Sequence, residues 1–142
     1  MTDRVAFITG ASRGVGAAVA RAFHGDGLKV ALASRSGDDL GLGLGLKCDV
    51  RDPDAVSAAV DATIEEFGRL DVVVANAGVG AYGPFLEMDP DDAEAMIDIN
   101  LKGTIYTARF ALPHLIESKG DFVSLASVAG LRAFPGEAVY NA

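Results

Sequence analysis

The sequence predicts an α/β fold built on a doubly wound, parallel β-sheet. Short apolar runs that suit buried strands alternate along the chain with segments of helical periodicity. A strand, a helix and a second strand fit within about 30 residues, which is the size of one βαβ unit. The chain has 142 residues with 12 basic and 20 acidic side chains, a net charge of −8, and this length suits one domain. Helices are therefore expected on both faces of a single sheet.

The first part of the chain contains two predicted strands and one helix. Residues 5–8 are uniformly apolar and end at a Thr-Gly pair, which is typical of a strand buried on both faces. Residues 15–23 carry apolar side chains at helical spacing, and a Gly-Asp-Gly sequence at 25–27 ends that helix. A second apolar run follows at 28–33. The right-handed crossover makes the two strands parallel.

A Leu-Gly repeat interrupts this alternation. Residues 40–46 read Leu-Gly-Leu-Gly-Leu-Gly-Leu and precede a third strand that is predicted to end near Cys48. Only about ten residues separate the second and third strands, which is barely enough for a crossover that includes a helix. Each glycine would weaken a helix there by roughly 1 kcal/mol. We therefore predict a short helical turn or a loop over the repeat, a connector without a functional role.

The next helix and strand follow clear boundary signals. Asp52 followed by Pro53 has the form of an N-cap with proline at the first helical position, and Gly68 ends the apolar periodicity that follows. Residues 71–75, which read Asp-Val-Val-Val-Ala, are then predicted to be the next strand.

A long helical pattern occupies most of the remaining chain. It begins at an Asp-Pro pair at 89–90 and ends at Gly120, and we expect Gly103 and Pro113 to bend or interrupt it. A final strand is predicted at 122–125. Apolar side chains at helical spacing predict the buried face of the long helix; they are Ala93, Ile97, Leu101, Ile105, Ala108, Leu112 and Leu115.

A glycine-rich turn lies between the first strand and the first helix. Residues 9–16 read Thr-Gly-Ala-Ser-Arg-Gly-Val-Gly. Glycine lets the backbone turn tightly and approach a pyrophosphate, while the N-terminus of the helix offers free N–H groups and the positive end of its dipole. The turn therefore predicts a dinucleotide site, and a tight connector alone is the alternative. The residues expected at the cofactor are Gly10, Ser12, Arg13, Gly14, Val15 and Gly16.

The glycine spacing resembles that of the short-chain dehydrogenase/reductase family, whose turn reads Thr-Gly-x-x-x-Gly-x-Gly. Four further segments resemble motifs of this family, in the order in which the family has them, so that the resemblance covers the whole chain. It implies a Rossmann-like fold, truncated after about five strands. Residues 1–142 would then form an NAD(P)-binding domain that is incomplete at its carboxyl end.

Two of these segments are implied to contact the cofactor. Asp49 and Val50 follow the predicted third strand and resemble the pair whose aspartate contacts adenine in the family. Residues 75–78 read Ala-Asn-Ala-Gly and resemble the family's Asn-Asn-Ala-Gly motif, with alanine in place of the first asparagine. The resemblance therefore adds cofactor contacts at Asn76, Ala77 and Gly78.

Three residues resemble the catalytic set of the family. Asn100 matches its helix asparagine, and Ser127 and Tyr140 lie 13 positions apart, as the family's serine and tyrosine commonly do. The implied reaction is reversible hydride transfer between nicotinamide and a carbonyl or alcohol carbon. Tyr140 would be the general acid or base, Ser127 would hydrogen-bond the substrate oxygen, and Asn100 would anchor a water-linked proton relay. For Asn100, bending or supporting the helix is the alternative.

The end of the second strand bears on the choice of cofactor. An NAD site places an acidic residue there, about 20 residues past the turn, to accept the ribose 2′-OH. This sequence has Ser34 and Arg35 instead. A guanidinium suits a 2′-phosphate, and Arg13 could join it, so we expect NADP(H). The alternatives are NAD bound through Asp38 or Asp39, or an Arg35 side chain that is merely solvated.

The family motif at the catalytic tyrosine is Tyr-x-x-x-Lys, and here the lysine position lies two residues past Ala142. In the family that lysine binds the nicotinamide ribose and lowers the pKa of the tyrosine. For a free phenol, reaching the phenolate near pH 7 costs roughly 4 kcal/mol. We therefore expect an amino-terminal fragment of a longer reductase that is not fully competent alone. A non-catalytic dinucleotide-binding module is the alternative.

Composition limits the partners. The acidic excess argues against nucleic acid and anionic membranes, and the longest uncharged stretch, 72–86, is too short and too interrupted by glycine and proline to span a bilayer. A single cysteine forms no internal disulfide, so the cytoplasm is the expected compartment. No metal is expected, because His24 and His114 lack ligand-like spacing. The expected partners are a small carbonyl or alcohol substrate and, for the complete protein, further copies of itself.

The loop after residue 78 is a candidate for the substrate side of the site. Tyr82 and Phe85 lie in this loop, and the loop leaves the carboxyl end of a strand, where ligands bind in folds of this kind. Lining a substrate entrance and packing against the protein are both open for these two side chains.

Overall fold

The structure, a computed structural model, describes residues 3–142. Within these residues, one parallel sheet carries helices on both faces. The strands are β1 (Val5–Thr9), β2 (Lys29–Ser34), β3 (Leu44–Lys47), β4 (Val72–Ala75) and β5 (Asp121–Ser124). The helices are α1 (Gly14–Gly25), α2 (Pro53–Phe67), α3 (Pro90–Met96), α4 (Gly103–Ser118) and α5 (Ala138–Asn141). A π-helical segment (Ile97–Lys102) joins α3 to α4, and 3-10 turns lie at Phe85–Glu87 and Val128–Gly130.

The sheet is doubly wound, as predicted. Its strand order is β3-β2-β1-β4-β5, and every neighbouring pair is parallel. The chain therefore moves outward from β1 through β2 and β3, returns to place β4 on the other side of β1, and then moves outward to β5. This reversal opens a crevice outside the carboxyl ends of β1 and β4, the position at which sheets of this kind bind ligands.

The core has one layer on each face of the sheet. Alternate side chains of β1 point to opposite faces, so that Phe7 packs towards α2 and α4 while Ile8 packs towards α1. Val73 and Val74 divide in the same way on β4, and all of these side chains are buried. Each contributes about 1.5–3 kcal/mol by leaving water. The strands that carry the site are therefore the best-anchored part of the chain.

The prediction of a loop or helical turn over the Leu-Gly repeat is wrong in its second half. β3 lies there and pairs with β2. A side chain at Gly43 would collide with the carbonyl oxygen of Val30, and one at Gly45 would collide with that of Gly37. The glycines thus let an edge strand approach neighbouring backbone too closely for a Cβ atom, which is a packing requirement rather than a helix-breaking signal.

The long helical pattern is one helical stretch from residue 90 to residue 118, but it is not α-helical throughout. Its irregular part is the π-helical segment, immediately before Gly103, whereas Pro113 lies inside α4 without ending it. A Cβ atom at Gly103 would lie 2.7 Å from Cγ2 of Val50, so glycine allows α4 to begin close to the loop that follows β3.

The predicted buried stripe of the long helix is mostly wrong. Ile97, Leu101, Ile105 and Leu112 are between 43% and 57% exposed. Leu115 is buried as predicted, and the helix buries Thr107 and smaller residues in place of the rest of the stripe. The Thr107 hydroxyl donates to the carbonyl oxygen of Gly103 at 2.7 Å, which satisfies this polar group inside the core. The buried residues are Met96, Gly103, Thr107, Ala111 and Leu115.

Residues 3–142 carry neither a candidate membrane-spanning helix nor a candidate metal cluster. None of their helices combines the length and the hydrophobicity that crossing a bilayer requires. The same range holds no group of three or more His, Cys, Asp or Glu side chains placed to hold a metal ion.

Candidate cofactor cleft and catalytic cluster

A cleft of about 700 Å³ lies at the carboxyl ends of the central strands. It brings together every predicted cofactor residue except Gly16, which is buried beneath the turn against Gly10 and Asn76. Ser36 and Cys48 also line it and were missed, although each is next to a predicted residue in the sequence. Sequence reasoning also missed two apolar residues of the wall, Val79 and Ile99.

The glycines of the turn serve different purposes. Gly10 (φ +65°) and Gly14 (φ +57°) both have left-handed backbone, which disfavours other residues. A Cβ atom at Gly10 would lie 2.9 Å from Cα of Ala77, whereas one at Gly14 would meet nothing within 4 Å, because Gly14 faces the open cleft. No side chain caps the first turn of α1, so its backbone N–H groups point freely towards the cleft.

Asn76 fastens β4 to the turn. Its side-chain amide donates to the carbonyl oxygens of Thr9 at 2.9 Å and Gly10 at 3.2 Å. The backbone N–H groups of Asn76 and Ala77 both donate to the Thr9 hydroxyl at 3.1 Å. These hydrogen bonds join the loop after β4 and the glycine-rich turn into one rigid wall of the cleft. The Asn76 side-chain amide binds protein backbone there.

The end of β2 presents hydroxyl and guanidinium groups. The Ser34 and Ser36 hydroxyl oxygens lie 3.1 Å apart, and the Gly37 N–H donates to the Ser34 hydroxyl at 3.1 Å. Arg13 and Arg35 line the cleft, and among residues 3–142 no acidic partner lies within ion-pair distance of either. The cleft therefore holds two cationic groups free to meet an anion.

The nearby acidic side chains turn away from the cleft. Asp38 accepts from the Leu40 N–H at 2.9 Å, and Asp39 accepts from the Gly41 N–H at 2.8 Å. Each carboxylate thus supports the start of the loop that carries the Leu-Gly repeat, and neither lines the cleft. A carboxylate able to take the ribose 2′-OH is missing from the described end of β2.

Asp49 is held as an anion at the edge of the cleft. The Arg51 Nε atom donates to both of its carboxylate oxygens, at 3.0 and 3.1 Å, and the Arg51 backbone N–H donates to Oδ1 at 3.1 Å. The hydrogen bond from Arg51 lowers the pKa of Asp49, against an opposing effect of burial. Beside it, burial raises the pKa of Cys48 to about 11, so this thiol stays protonated and is a poor nucleophile.

Asn100 lies in the π-helical segment and grips the loop that leaves β4. Its Oδ1 atom accepts from the Val79 N–H at 2.8 Å, and its Nδ2 atom donates to the Val79 carbonyl oxygen, also at 2.8 Å. Its own carbonyl oxygen accepts from the Thr104 hydroxyl at 2.8 Å. A half-buried asparagine inside a helix needs such partners, and here the backbone of Val79 supplies them.

Ser127 and Tyr140 lie on neighbouring segments after β5. Ser127 caps the 3-10 turn Val128–Gly130 by accepting from the Ala129 N–H at 3.1 Å, and this turn packs against α5, which carries Tyr140. The Tyr140 ring meets the Tyr82 ring edge to face, with centroids 5.6 Å apart and planes at 73°. The contact with Tyr82 joins α5 to the loop that Asn100 grips.

Sequence comparison agrees with this geometry. The family model described as short chain dehydrogenase matches residues 4–142. The oxidoreductase UcpA of Escherichia coli (strain K12) is 40% identical over 99% of this chain and 58% of its own length. An uncharacterized oxidoreductase of Staphylococcus aureus (strain MRSA252) is 34% identical over all of this chain and 66% of its own. The chain thus spans about three fifths to two thirds of these curated relatives.

Solved structures share the fold. An alcohol dehydrogenase from the archaeon Thermococcus sibiricus, complexed with 5-hydroxy-NADP, superposes with a TM-score of 0.91 at 34% identity and covers 97% of this chain and 64% of its own. ElxO with NADP bound gives 0.89 at 29% identity and covers 99% of this chain and 62% of its own. The family match runs through the residues of the cleft and through Asn100, Ser127 and Tyr140 alike, and the relatives are named oxidoreductases. The chain therefore belongs to the short-chain dehydrogenase family.

Proposed function

We propose that this chain forms the cofactor-binding and proton-transfer part of an NADP(H)-dependent oxidoreductase, which interconverts a carbonyl compound and an alcohol. The observation that carries the choice of cofactor is that Arg13 and Arg35 both line the cleft, and that Arg35 follows β2, where an NAD site has a carboxylate. Asp38 and Asp39 each accept a hydrogen bond from loop backbone and neither lines the cleft, which favours the guanidinium groups as the partners of the cofactor at this end.

The cleft suits a dinucleotide. Its volume of about 700 Å³ lies in the range of pockets that enclose small ligands. Gly14 and the uncapped N-terminus of α1 would hold the pyrophosphate, and Arg13 and Arg35 the 2′-phosphate. Asp49 would accept from the adenine amino group, since its carboxylate is ionised. When bound, the cofactor supplies or takes up the hydride.

The residues of the chain would handle the proton and the substrate oxygen. In the reducing direction the carbonyl carbon gains the hydride, and its oxygen takes a proton from the Tyr140 phenol, which gives the alcohol; solvent then returns a proton to the phenolate. Ser127 accepts from the Ala129 N–H, which leaves the hydroxyl proton of Ser127 free to point at the substrate oxygen. Asn100 acts in this scheme by holding the loop at Val79. Its part in a proton relay is what the family resemblance implies.

Titration of the chain with NADPH and NADH tests the cofactor. We expect NADPH to bind at least tenfold more tightly, because charge-assisted hydrogen bonds to a phosphate are strong. Arg13→Gln and Arg35→Gln should each remove most of that preference and leave NADH affinity unchanged. Arg21→Gln, an exposed site on α1, is the matched control. Tighter binding of NADH would contradict the NADP(H) proposal.

Carbonyl-dependent consumption of NADPH, measured in a protein that carries these residues together with the lysine of the Tyr-x-x-x-Lys motif, tests the chemistry. Tyr140→Phe removes the phenol proton and should abolish turnover, whereas Tyr106→Phe on α4 should leave it unchanged. Turnover that survives Tyr140→Phe would contradict the assigned role of Tyr140 even if the cofactor binds as proposed.

A further inference from the structure

The walls that meet at Tyr140 carry no charged side chains. The loop after β4 is uncharged from residue 76 to residue 86, and the segment from residue 122 to residue 131 is uncharged as well. Uncharged stretches of this length stand out in a chain with net charge −8. The first charged residue past the second stretch, Arg132, lies over the ring of Phe134 at 5.7 Å. Within residues 76–86 and 122–131, neither wall therefore offers an ion-pair partner to a charged substrate.

Large apolar side chains stand exposed along both walls. Tyr82 is 65% exposed and Phe85 is 64% exposed on the first wall. On the second wall, Val128 and Leu131 are exposed to a similar or greater degree. Exposed apolar groups gathered around a reactive side chain mark a ligand-binding surface better than single exposed residues do. Of these side chains, Tyr82 contacts the Tyr140 ring directly, and the 3-10 turn that begins at Val128 packs against α5, which carries Tyr140.

Tyr82 is held in place at both ends of its loop segment. On one side, the Asn100 side chain binds both backbone polar groups of Val79 at 2.8 Å. On the other side, the Gly83 N–H donates to the Gly136 carbonyl oxygen at 2.8 Å, which ties the loop to the segment that leads into α5. The exposed Tyr82 ring is therefore presented by a fixed backbone.

The direction of the Tyr82 side chain is also defined. Its hydroxyl lies over Gly80, where a Cβ atom would collide with it, so the absence of a side chain at Gly80 makes room for the phenol. The ring then meets Tyr140 edge to face. One aromatic surface thus stands beside the phenol that would give its proton to the substrate, and the rest of that surface is open.

We propose that Tyr82 is the specificity-determining residue on the substrate side and that the site selects uncharged aromatic carbonyl compounds. The inference rests on the proposed function, because it takes Tyr140 as the group that meets the substrate oxygen. An aryl ketone or aldehyde places its carbonyl at Tyr140 and its ring against Tyr82. Aromatic contacts of this kind add roughly 2- to 12-fold in affinity beyond the buried area. A carboxylate on the substrate would be desolvated beside these walls without a cationic partner.

Ligand binding to the full chain in the presence of NADP⁺ tests this proposal. The signals of the tyrosine rings report whether a ligand has bound beside them. The chain has three tyrosines and no tryptophan, so a Tyr106→Phe background with isotope-labelled tyrosine leaves two ring signals, from Tyr82 and Tyr140. Acetophenone is the uncharged aromatic probe, benzoylformate the charged aromatic probe and acetone the small uncharged probe. We expect acetophenone to shift both ring signals and to bind at least tenfold more tightly than the other two.

Variants at position 82 complete the test. Tyr82→Ala should weaken acetophenone about tenfold, and Tyr82→Phe, which keeps the ring, should not. NADP⁺ affinity should be the same in both variants, which shows that they fold. If NADP⁺ binds but acetophenone binds no better than benzoylformate, or is insensitive to Tyr82→Ala, the proposed specificity is overturned while the proposed function stands. If NADP⁺ does not bind the chain at all, the proposed function is overturned, and this inference with it.

Discussion

The Asn100 side chain forms two hydrogen bonds of 2.8 Å with the backbone of Val79, one with its N–H and one with its carbonyl oxygen. The side-chain amide thus pairs with the Val79 backbone as a neighbouring strand would. Asn100→Ala removes both bonds, and each is worth about 0.5–1.5 kcal/mol. We expect faster hydrogen exchange at the Val79 amide, by tenfold or more, with a smaller loss of global stability, since the loop opens before the sheet does.

The control for Asn100→Ala is Thr104→Ala. Its hydroxyl bonds only to the backbone carbonyl of Asn100, so exchange at Val79 should stay close to the wild-type rate. If the Val79 amide were equally protected in the wild type and in Asn100→Ala, the side chain would not be what holds the loop.

The glycine-rich turn predicts a graded series of alanine substitutions. Gly14→Ala meets no atoms and suffers only from its left-handed backbone, at about 1–2 kcal/mol. Gly16→Ala has no positive φ but collides with the Gly10 carbonyl oxygen and the Asn76 amide, so it should cost more, about 2–4 kcal/mol. Gly25→Ala meets nothing and should be neutral or stabilising. Urea unfolding measures all three, and equal effects of Gly14→Ala and Gly16→Ala would contradict the packing argument.

Asp71 predicts a pH dependence of stability. Although burial raises its pKa, hydrogen bonds from Arg69 and the Val5 N–H outweigh that effect and lower it overall. A carboxyl group with a lowered pKa in the folded state contributes stability that is complete above its unfolded value of about 3.9 and is lost as the pH falls through the folded value. The free energy of unfolding should therefore drop below about pH 4.

Asp71→Asn isolates this contribution. The variant should lose about 1–3 kcal/mol near neutral pH, because the Val5 N–H and the Arg69 side chain lose a charged acceptor. The difference between variant and wild type should shrink as the pH falls below 4. A difference that is constant from pH 3 to pH 7 would show that Asp71 is not the titrating group.

The exposed stripe of the long helix predicts a contrast between two kinds of substitution. Leu101→Gln and Ile105→Gln lie on the exposed face, so each should change stability by no more than about 0.5 kcal/mol and should reduce binding of a hydrophobic dye. Leu115→Ala lies in the core and should cost about 2–5 kcal/mol. A large loss of stability from Ile105→Gln would mean that this face is covered.

Sequence patterns predict the part of the fold that depends on local signals. The apolar runs of β1 and β4 predict buried parallel strands, because a strand buried on both faces is apolar along its length. The Thr-Gly turn predicts the cleft, because a glycine-rich turn that can approach a phosphate has a recognisable local sequence. The Asp52-Pro53 start of α2 is equally local, and the Asp52 carboxylate does accept from the Asp54 N–H at 3.0 Å.

The features that the sequence did not predict depend on distant neighbours. The sequence predicts a third strand that ends near Cys48 but not its start within the Leu-Gly repeat, since the reason for Gly43 is the Val30 carbonyl oxygen beside it. Periodicity identified an apolar face on the long helix, but it could not show that Thr107 is buried in place of that face. Likewise, Tyr82 was a candidate for the substrate entrance, and its contact with Tyr140 became visible only with the fold.

The π-helical segment couples two distant requirements of the long helix. A π turn holds one residue more than an α turn, so it offsets α3 from α4 by about 100°. Deleting a single residue between 97 and 102 would restore ordinary pitch and swing the upstream half around by that angle. The Asn100 side chain could then no longer bind Val79 while Thr107 stays buried in the core. The number of residues in this segment therefore sets the rotation of α3 relative to α4, and that number must be kept even where the side chains are free to vary.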